Sequence, residues 1–447
     1  MEAVDERTVR FTFQEGKASL SNERTILKQY VTASANYAEL AEQARAVVAD
    51  GKTSEDQEWI DLATVIAEYK PEELIASGPF TYSLDDVGEA FMTLHWQPNS
   101  LYSDSVQFGE IKLWAGETEV STPLVLSGEI AYATNVYPPA TLQAFVDEGI
   151  RLVSVPLGYG PGLYFNFANP VFQDVNLRKA VAHAINGEQS ALLTNGLGAS
   201  KITYYSGILD ALTPALLSEE GVAALDQYGY DLAKAEEYMA AAGYSRNADG
   251  KWADANGNTL TFEYTFPADF ADFSAAARDA TAQLNDFGWD ITERALPWQE
   301  AAQAIREGNY DLTVWSWGSG TPFAYNNFRS AILRWTTELA EGLPGWGLDL
   351  EFEYDGEMIN LQELILNSSS TLDTDELLAR ADFVAKVIND TMFYVPLNEM
   401  LSVMPLNESL IAGAPADGDP IYANPASSGG DLFIVPLFLD GTLRPAG

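Results

Sequence analysis

The chain has 447 residues, too many for one hydrophobic core, so two or more α/β-sized units are expected. Its 65 Asp and Glu against 24 Lys and Arg leave a formal net charge of −41, which excludes nucleic acid and anionic membranes as partners, because phosphate binding depends on Lys and Arg. The same charge points to a salt-rich setting that screens self-repulsion, and the absence of Cys excludes disulfides, thiolate nucleophiles and Cys-based metal sites. The opening MEAVDERTVRFTF has neither a basic n-region nor an apolar run, so an export signal is expected outside this chain.

In chain order, a short strand over 8–13 is followed by helical stretches, one carrying Leu27, Tyr30 and Val31 and the next Trp59, Leu62, Ala63 and Ile66 at helical spacing. From Gly78 to Asn166 the pattern alternates, as in Phe91-Met92-Thr93-Leu94-His95-Trp96, and predicts a mostly β layer. Asp174 and Asp231 are placed to cap helices, the second ending where Gly243 takes positive φ. Leu260, Phe262, Tyr264 and Phe266 alternate as a strand. A helix through Phe273 and Leu284, a strand from Trp289 to Leu296, a helix from Trp298 to Glu307 and a strand from Tyr310 to Trp317 follow. That βαβαβ order predicts a mainly parallel sheet, which binds ligands at the carboxyl ends of its strands. A helix from about Asp375 to Asn389 and short apolar runs, including Leu432 to Leu439, complete the chain.

Catalytic chemistry finds little to stand on. His95 and His183 lie far apart and in no metal-binding spacing, so both read as structural or solvated and no metal or cofactor is expected. Acid pairs such as Asp85-Asp86 and Glu236-Glu237 read as solvated surface, and Gly158-Tyr159-Gly160-Pro161-Gly162 lacks the Lys and Ser or Thr of a phosphate loop and reads as a tight turn. The aromatics Trp298, Trp315, Trp317, Phe323 and Tyr325 gather at strand-to-loop transitions and suit the walls of a small-molecule cleft, with core packing as the other reading.

The stretch from Phe172 to Asn186, FQDVNLRKAVAHAIN, resembles a signature of the dipeptide- and oligopeptide-binding proteins (family 5) of ABC importers, with Asn186 in place of the usual Asp. Further elements follow in register: Ser77-Gly78-Pro79-Phe80, Leu126-Ser127-Gly128-Glu129-Ile130, Gly162-Leu163-Tyr164-Phe165-Asn166, Tyr230-Asp231-Leu232-Ala233-Lys234-Ala235 with Ala242-Gly243-Tyr244, and Arg380 with Phe393-Tyr394-Val395-Pro396-Leu397.

The resemblance implies an α/β, two-lobed periplasmic-binding-protein-like fold (type II, cluster C) with a remnant of an extra small domain at 1–75. Residues 76–165 plus 421–447 would form lobe I and 166–420 lobe II. It also implies an extracellular monomer that takes no cofactor, captures a peptide-like or other small polar solute between its lobes by hinge motion and delivers it to an ABC permease. Ligand contacts are expected from Trp317, Trp315, Gly320, Phe323, Tyr325, Trp298, Asn166 and Tyr164. In such proteins an Asp after the strand that ends here at Trp317 holds a peptide's amino terminus; this chain places Gly320 there. Two rival readings are a cleft hydrolase using two carboxylates and a surface or sensory protein that kept the fold without transport.

Overall fold

The computed structural model describes residues 2–13, 18–27, 32–71, 75–423 and 431–447. The chain forms two units, the larger from Met1–Ile26, Thr134–Pro405 and Asp417–Leu432, the smaller from Leu27–Ala133, Leu406–Ala416 and Phe433–Gly447. The division differs from the expected boundaries: residues 27–75 join the smaller unit, and 134–165 the larger. The second difference follows from strand pairing, because Gly160–Phe165 is an interior strand of the larger unit's main sheet.

The smaller unit contains helices α1 (Ser34–Ala49) and α2 (Gln57–Glu68), a three-stranded antiparallel sheet of β1 (Phe80–Thr81), β2 (Phe91–Trp96) and β3 (Glu110–Trp114), and helix α3 (Thr118–Leu126). Leu62 is buried on α2, as its spacing predicts; the helix expected around Tyr30 and Val31 lies outside the described residues. The mostly β reading of 78–166 misses α3 and, in the larger unit, α4 (Pro139–Asp147), which buries Leu142 and Phe145 at helical spacing. The Leu126-to-Ile130 element is the stop of α3: Gly128 takes φ +78° while Glu129 and Ile130 donate backbone hydrogen bonds to the Leu124 carbonyl. The apolar run near the C-terminus forms helix Asp431–Leu439, whose Phe438 stacks on Phe108 at 4.9 Å.

The larger unit is built on β5 (Gly160–Phe165), β7 (Thr261–Pro267), β8 (Asp290–Leu296), β9 (Leu312–Trp317) and β10 (Tyr394–Pro396), in the spatial order β8-β7-β9-β5-β10. The predicted βαβαβ unit is present, with α8 (Ala271–Asp286) between β7 and β8 and α9 (Trp298–Arg306) between β8 and β9. These three strands are parallel; β5 runs antiparallel to both its neighbours. Phe262, Tyr264, Phe266 and the intervening Thr265 are all buried, as in a strand covered on both faces. A second sheet pairs β4 (Arg151–Pro156) and β6 (Ala199–Ser200) with either edge of β11 (Glu399–Leu406).

Around the sheets lie α5 (Val175–Ala184), α6 (Gly187–Asn195), α7 (Leu232–Ala241) and α10 (Thr374–Thr391). The caps Asp174 and Asp231 sit where the sequence places them, and Asp373 adds a third. Asp174 accepts from Asn176 N, Asp231 from Ala233 N and Lys234 N, and Asp373 from Asp375 N and Glu376 N.

Candidate functional site

Parallel βαβ units aim the carboxyl ends of their strands, and the loops that follow, at one edge. Here that edge carries Pro267, Leu296 and Trp317 and leads into residues 268–270, α9 and residues 318–328. The eight expected contact residues separate by burial and, for Asn166, by edge.

Trp317 is 1% exposed; its Nε1 donates to the Asn398 carbonyl at 3.2 Å, and its ring packs near Tyr394. Trp315, likewise buried, packs edge-on to Trp335 at 5.1 Å and against Phe273. Expected on a cleft wall, both lie in the core cluster, and for Trp317 the reason is the neighbouring strand. Gly160 stands opposite Trp317 and Gly162 opposite Trp315. A Cβ on Gly162 would lie 3.3 Å from the Trp317 ring, and one on Gly160 only 1.9 Å from the Asn398 carbonyl oxygen. The glycine-rich run is a bend at Gly158, φ +84°, leading into a strand from Gly160 whose missing side chains admit the Trp317 indole and the Asn398 backbone.

Tyr164 is also core, stacked between Trp346 at 4.2 Å and Tyr394 at 5.0 Å, with its hydroxyl donating to the Ser316 carbonyl. Asn166 follows the end of β5, and because that strand is antiparallel to β9 it lies at the opposite, amino edge. There its buried amide donates to the Gly308 and Tyr310 carbonyls at 3.0 and 2.6 Å and accepts from Ala168 N. It ties a loop. A polar hollow of about 370 Å³ opens beside it, lined by Asn169, Glu263, Asn309 and Asp311 among others.

Four expected residues stay within reach of solvent. Trp298 is 42% exposed, and Phe270 lies nearly parallel behind it at 6.2 Å. The Asp269 carboxylate accepts the Trp298 backbone N–H at 2.9 Å and starts α9. Phe323 and Tyr325 are half-buried, with the Arg24 guanidinium 5.4 Å over the Phe323 ring, and Gly320 lies in the half-buried turn between them and Trp317. An aromatic ladder leads inward from the exposed indole, Trp298 to Phe270, Phe273, Trp315 and Trp335. Phe270 and Asp269 were not singled out from sequence; the signal available was their position just past the end of an alternating strand.

Sequence reading also misses an acid pair, Glu399 buried and Asp210 half-buried. Glu399 Oε2 accepts the Asp210 backbone N–H at 2.8 Å. Burial, then the Asp210 charge, pushes the Glu399 carboxyl up to about 7, and burial raises Asp210 as well. His95 stands between Asp86 and Glu110, at 2.9 and 3.1 Å, on the exposed sheet of the smaller unit, where both carboxylates raise its pKa. Buried His183 is held low by desolvation and bonds the Gly229 carbonyl. Among the described residues no group of three or more His, Asp or Glu side chains could hold a metal ion, and no helix is long and apolar enough to cross a membrane.

The sequence model of the bacterial extracellular solute-binding proteins, family 5, matches residues 1–333. The chain belongs to this family. No curated protein matches it significantly in sequence. Solved structures share the fold. The periplasmic oligopeptide-binding protein of an oligopeptide ABC transporter from Thermotoga maritima superposes with a TM-score of 0.75 at 15% identity, over 99% of this chain and 79% of that one. Its mannohexaose-bound form gives 0.68 at 14% identity, over 88% and 72%. The ABC transporter-associated periplasmic binding protein DppA of Helicobacter pylori, in complex with the peptide STSA, gives 0.61 at 15% identity, over 88% and 68%.

In this solute-binding protein the family-like signature from Phe172 to Asn186 performs structural work. Arg178, almost wholly buried, donates from Nε and Nη2 to the Thr391 carbonyl, from Nε to that of Met392 and from Nη1 to that of Phe172. It satisfies the last carbonyls of α10, where Met392 turns left-handed at φ +45°. Burial lowers its pKa to about 10, which leaves it cationic at neutral pH. Asn186, the departure from the pattern, still caps α6 by accepting from Glu188 N and Gln189 N.

Proposed function

We propose that this solute-binding protein is the substrate-binding component of an ABC importer, that it works outside the cell as a monomer handing solute to a membrane permease, and that its solute rests on the aromatic ledge of Trp298, Phe323 and Tyr325. The observation that carries the ledge assignment is the exposed Trp298 indole, backed by Phe270 at the carboxyl edge of a parallel sheet in a chain of this family. Trp315, Trp317 and Tyr164 act beneath it as a rigid floor. The named relatives support a peptide-like or other small polar solute, since one is solved with the peptide STSA and another with mannohexaose.

The turn after Trp317 refines the class. A buried ammonium without a charged partner costs several kcal/mol, and Gly320 offers no side chain for one. The solute is therefore not selected by a free α-amino group. Calorimetry on free peptides, their N-acetylated forms and mannohexaose tests this. We expect no tenfold preference, about 1.4 kcal/mol, for the free amines; such a preference would mean that another acid supplies the anchor. Hydrolysis by two carboxylates is not favoured, because Glu399, the carboxyl raised to about 7, is packed inside at 9% exposed.

A further inference from the structure

Arginine and lysine are the scarce charges of this chain, 24 against 65 acids, so the guanidiniums exposed at the carboxyl edge bear on what that edge can hold. Arg24, on the helix Leu20–Leu27, lies 5.4 Å over the ring of Phe323, one of the three ledge aromatics. Arg334 donates from Nη1 to Ser316 Oγ at 3.3 Å, one residue short of the end of β9, and its guanidinium lies 5.9 Å from the Trp335 ring. Trp335 in turn packs on Trp315, beneath the ledge. Both arginines are exposed, and both belong to the larger unit.

Neither makes an ion pair with Asp or Glu among the described residues. Acids that stand near them in the chain or on the edge are engaged elsewhere: Glu338 holds Arg329 with both oxygens, at 2.5 and 2.7 Å, and Asp269 accepts the Trp298 N–H. A guanidinium carries about five N–H donors in a fixed fork. Among the described residues Arg334 spends one of them, on Ser316, and Arg24 spends none. The long-range field of a chain at −41 repels anions. In molar salt, however, the Debye length is about 3 Å, so the groups in contact decide. Here those groups include two cations and, at Gly320, no side chain at all.

We infer, on the basis of the ledge assignment above, that the solute carries an anionic group, a carboxylate on a peptide-like body, and that Arg24 and Arg334 are the specificity-determining contacts for it. A carboxylate accepts two parallel N–H bonds from one guanidinium, and at contact distance salt screens such a pair only in part. An ammonium brought to the same edge would face two like charges. The ledge therefore selects charge in the sense opposite to an acidic amine anchor.

An N-acetylated tetrapeptide, titrated calorimetrically into the full chain in constant molar KCl as its free acid and as its C-terminal amide, tests the charge with the body held fixed. The acid should bind at least about tenfold more tightly than the amide, as for a hydrogen bond to a charged group. The double substitution Arg24→Met, Arg334→Met keeps both apolar stems. It should bring the acid to the affinity of the amide and leave the amide within about threefold of wild type, which also shows that the substituted chain is folded. Equal binding of acid and amide by the wild type, or a preference for the acid that survives the double substitution, would overturn the anion contact and leave the ledge standing. Binding of neither form would overturn the peptide-like ledge reading and this contact with it, so the two failures are told apart.

Discussion

Trp317 and Trp298 lie at the same edge of the same sheet, one ending β9 and the other starting α9, and they differ in exposure from 1% to 42%. Trp317 faces β5, where Gly162 leaves a recess that its ring fills. Trp298 begins a helix at the rim, with Phe270 on one side and solvent on the other. The comparison teaches that an aromatic at a strand end is a wall only where the next strand has side chains of its own; opposite glycine it becomes core.

The largest effect that sharpens this contrast is on stability. Trp317→Ala should destabilise the larger unit by about 3–5 kcal/mol, the cost of emptying a packed aromatic site, measured as a lowered denaturant midpoint of that unit. A loss below about 1 kcal/mol would return Trp317 to the surface set. Next comes Arg178→Met, which keeps the apolar stem and removes the donors to Thr391, Met392 and Phe172. We expect a loss of about 3 kcal/mol for carbonyls left unpaired, read in the same denaturation experiment. Unchanged stability would mean that α10 closes without its cap.

Much of the larger unit was legible in the sequence because its rules are local. The alternation of Leu260, Phe262, Tyr264 and Phe266, the caps Asp174 and Asp231, and the stop at Gly243 all depend on a few neighbouring residues, and each lies where its pattern predicts. The helices α3 and α4 were missed because their apolar residues also alternate over short runs, which left strand and helix hard to separate. The candidate site was less legible because burial is set by partners distant in sequence. Gly162 is about 155 residues from the Trp317 ring it admits, and the pairing of Asp210 with Glu399 spans 189 residues. Asn166 illustrates the same limit: its place at a strand end is correct, but the antiparallel direction of β5 carries it to the edge away from Trp298.

The smallest effect on stability belongs to the ledge itself, and it bears on function most directly. Native mass spectrometry of the purified protein identifies the solute it carries, and calorimetric titration of that solute into wild type and Trp298→Ala then compares the two. The account predicts binding weaker by about 1–3 kcal/mol, as for loss of an exposed aromatic platform, with stability changed by no more than about 1 kcal/mol. Equal affinity in the two proteins would contradict it.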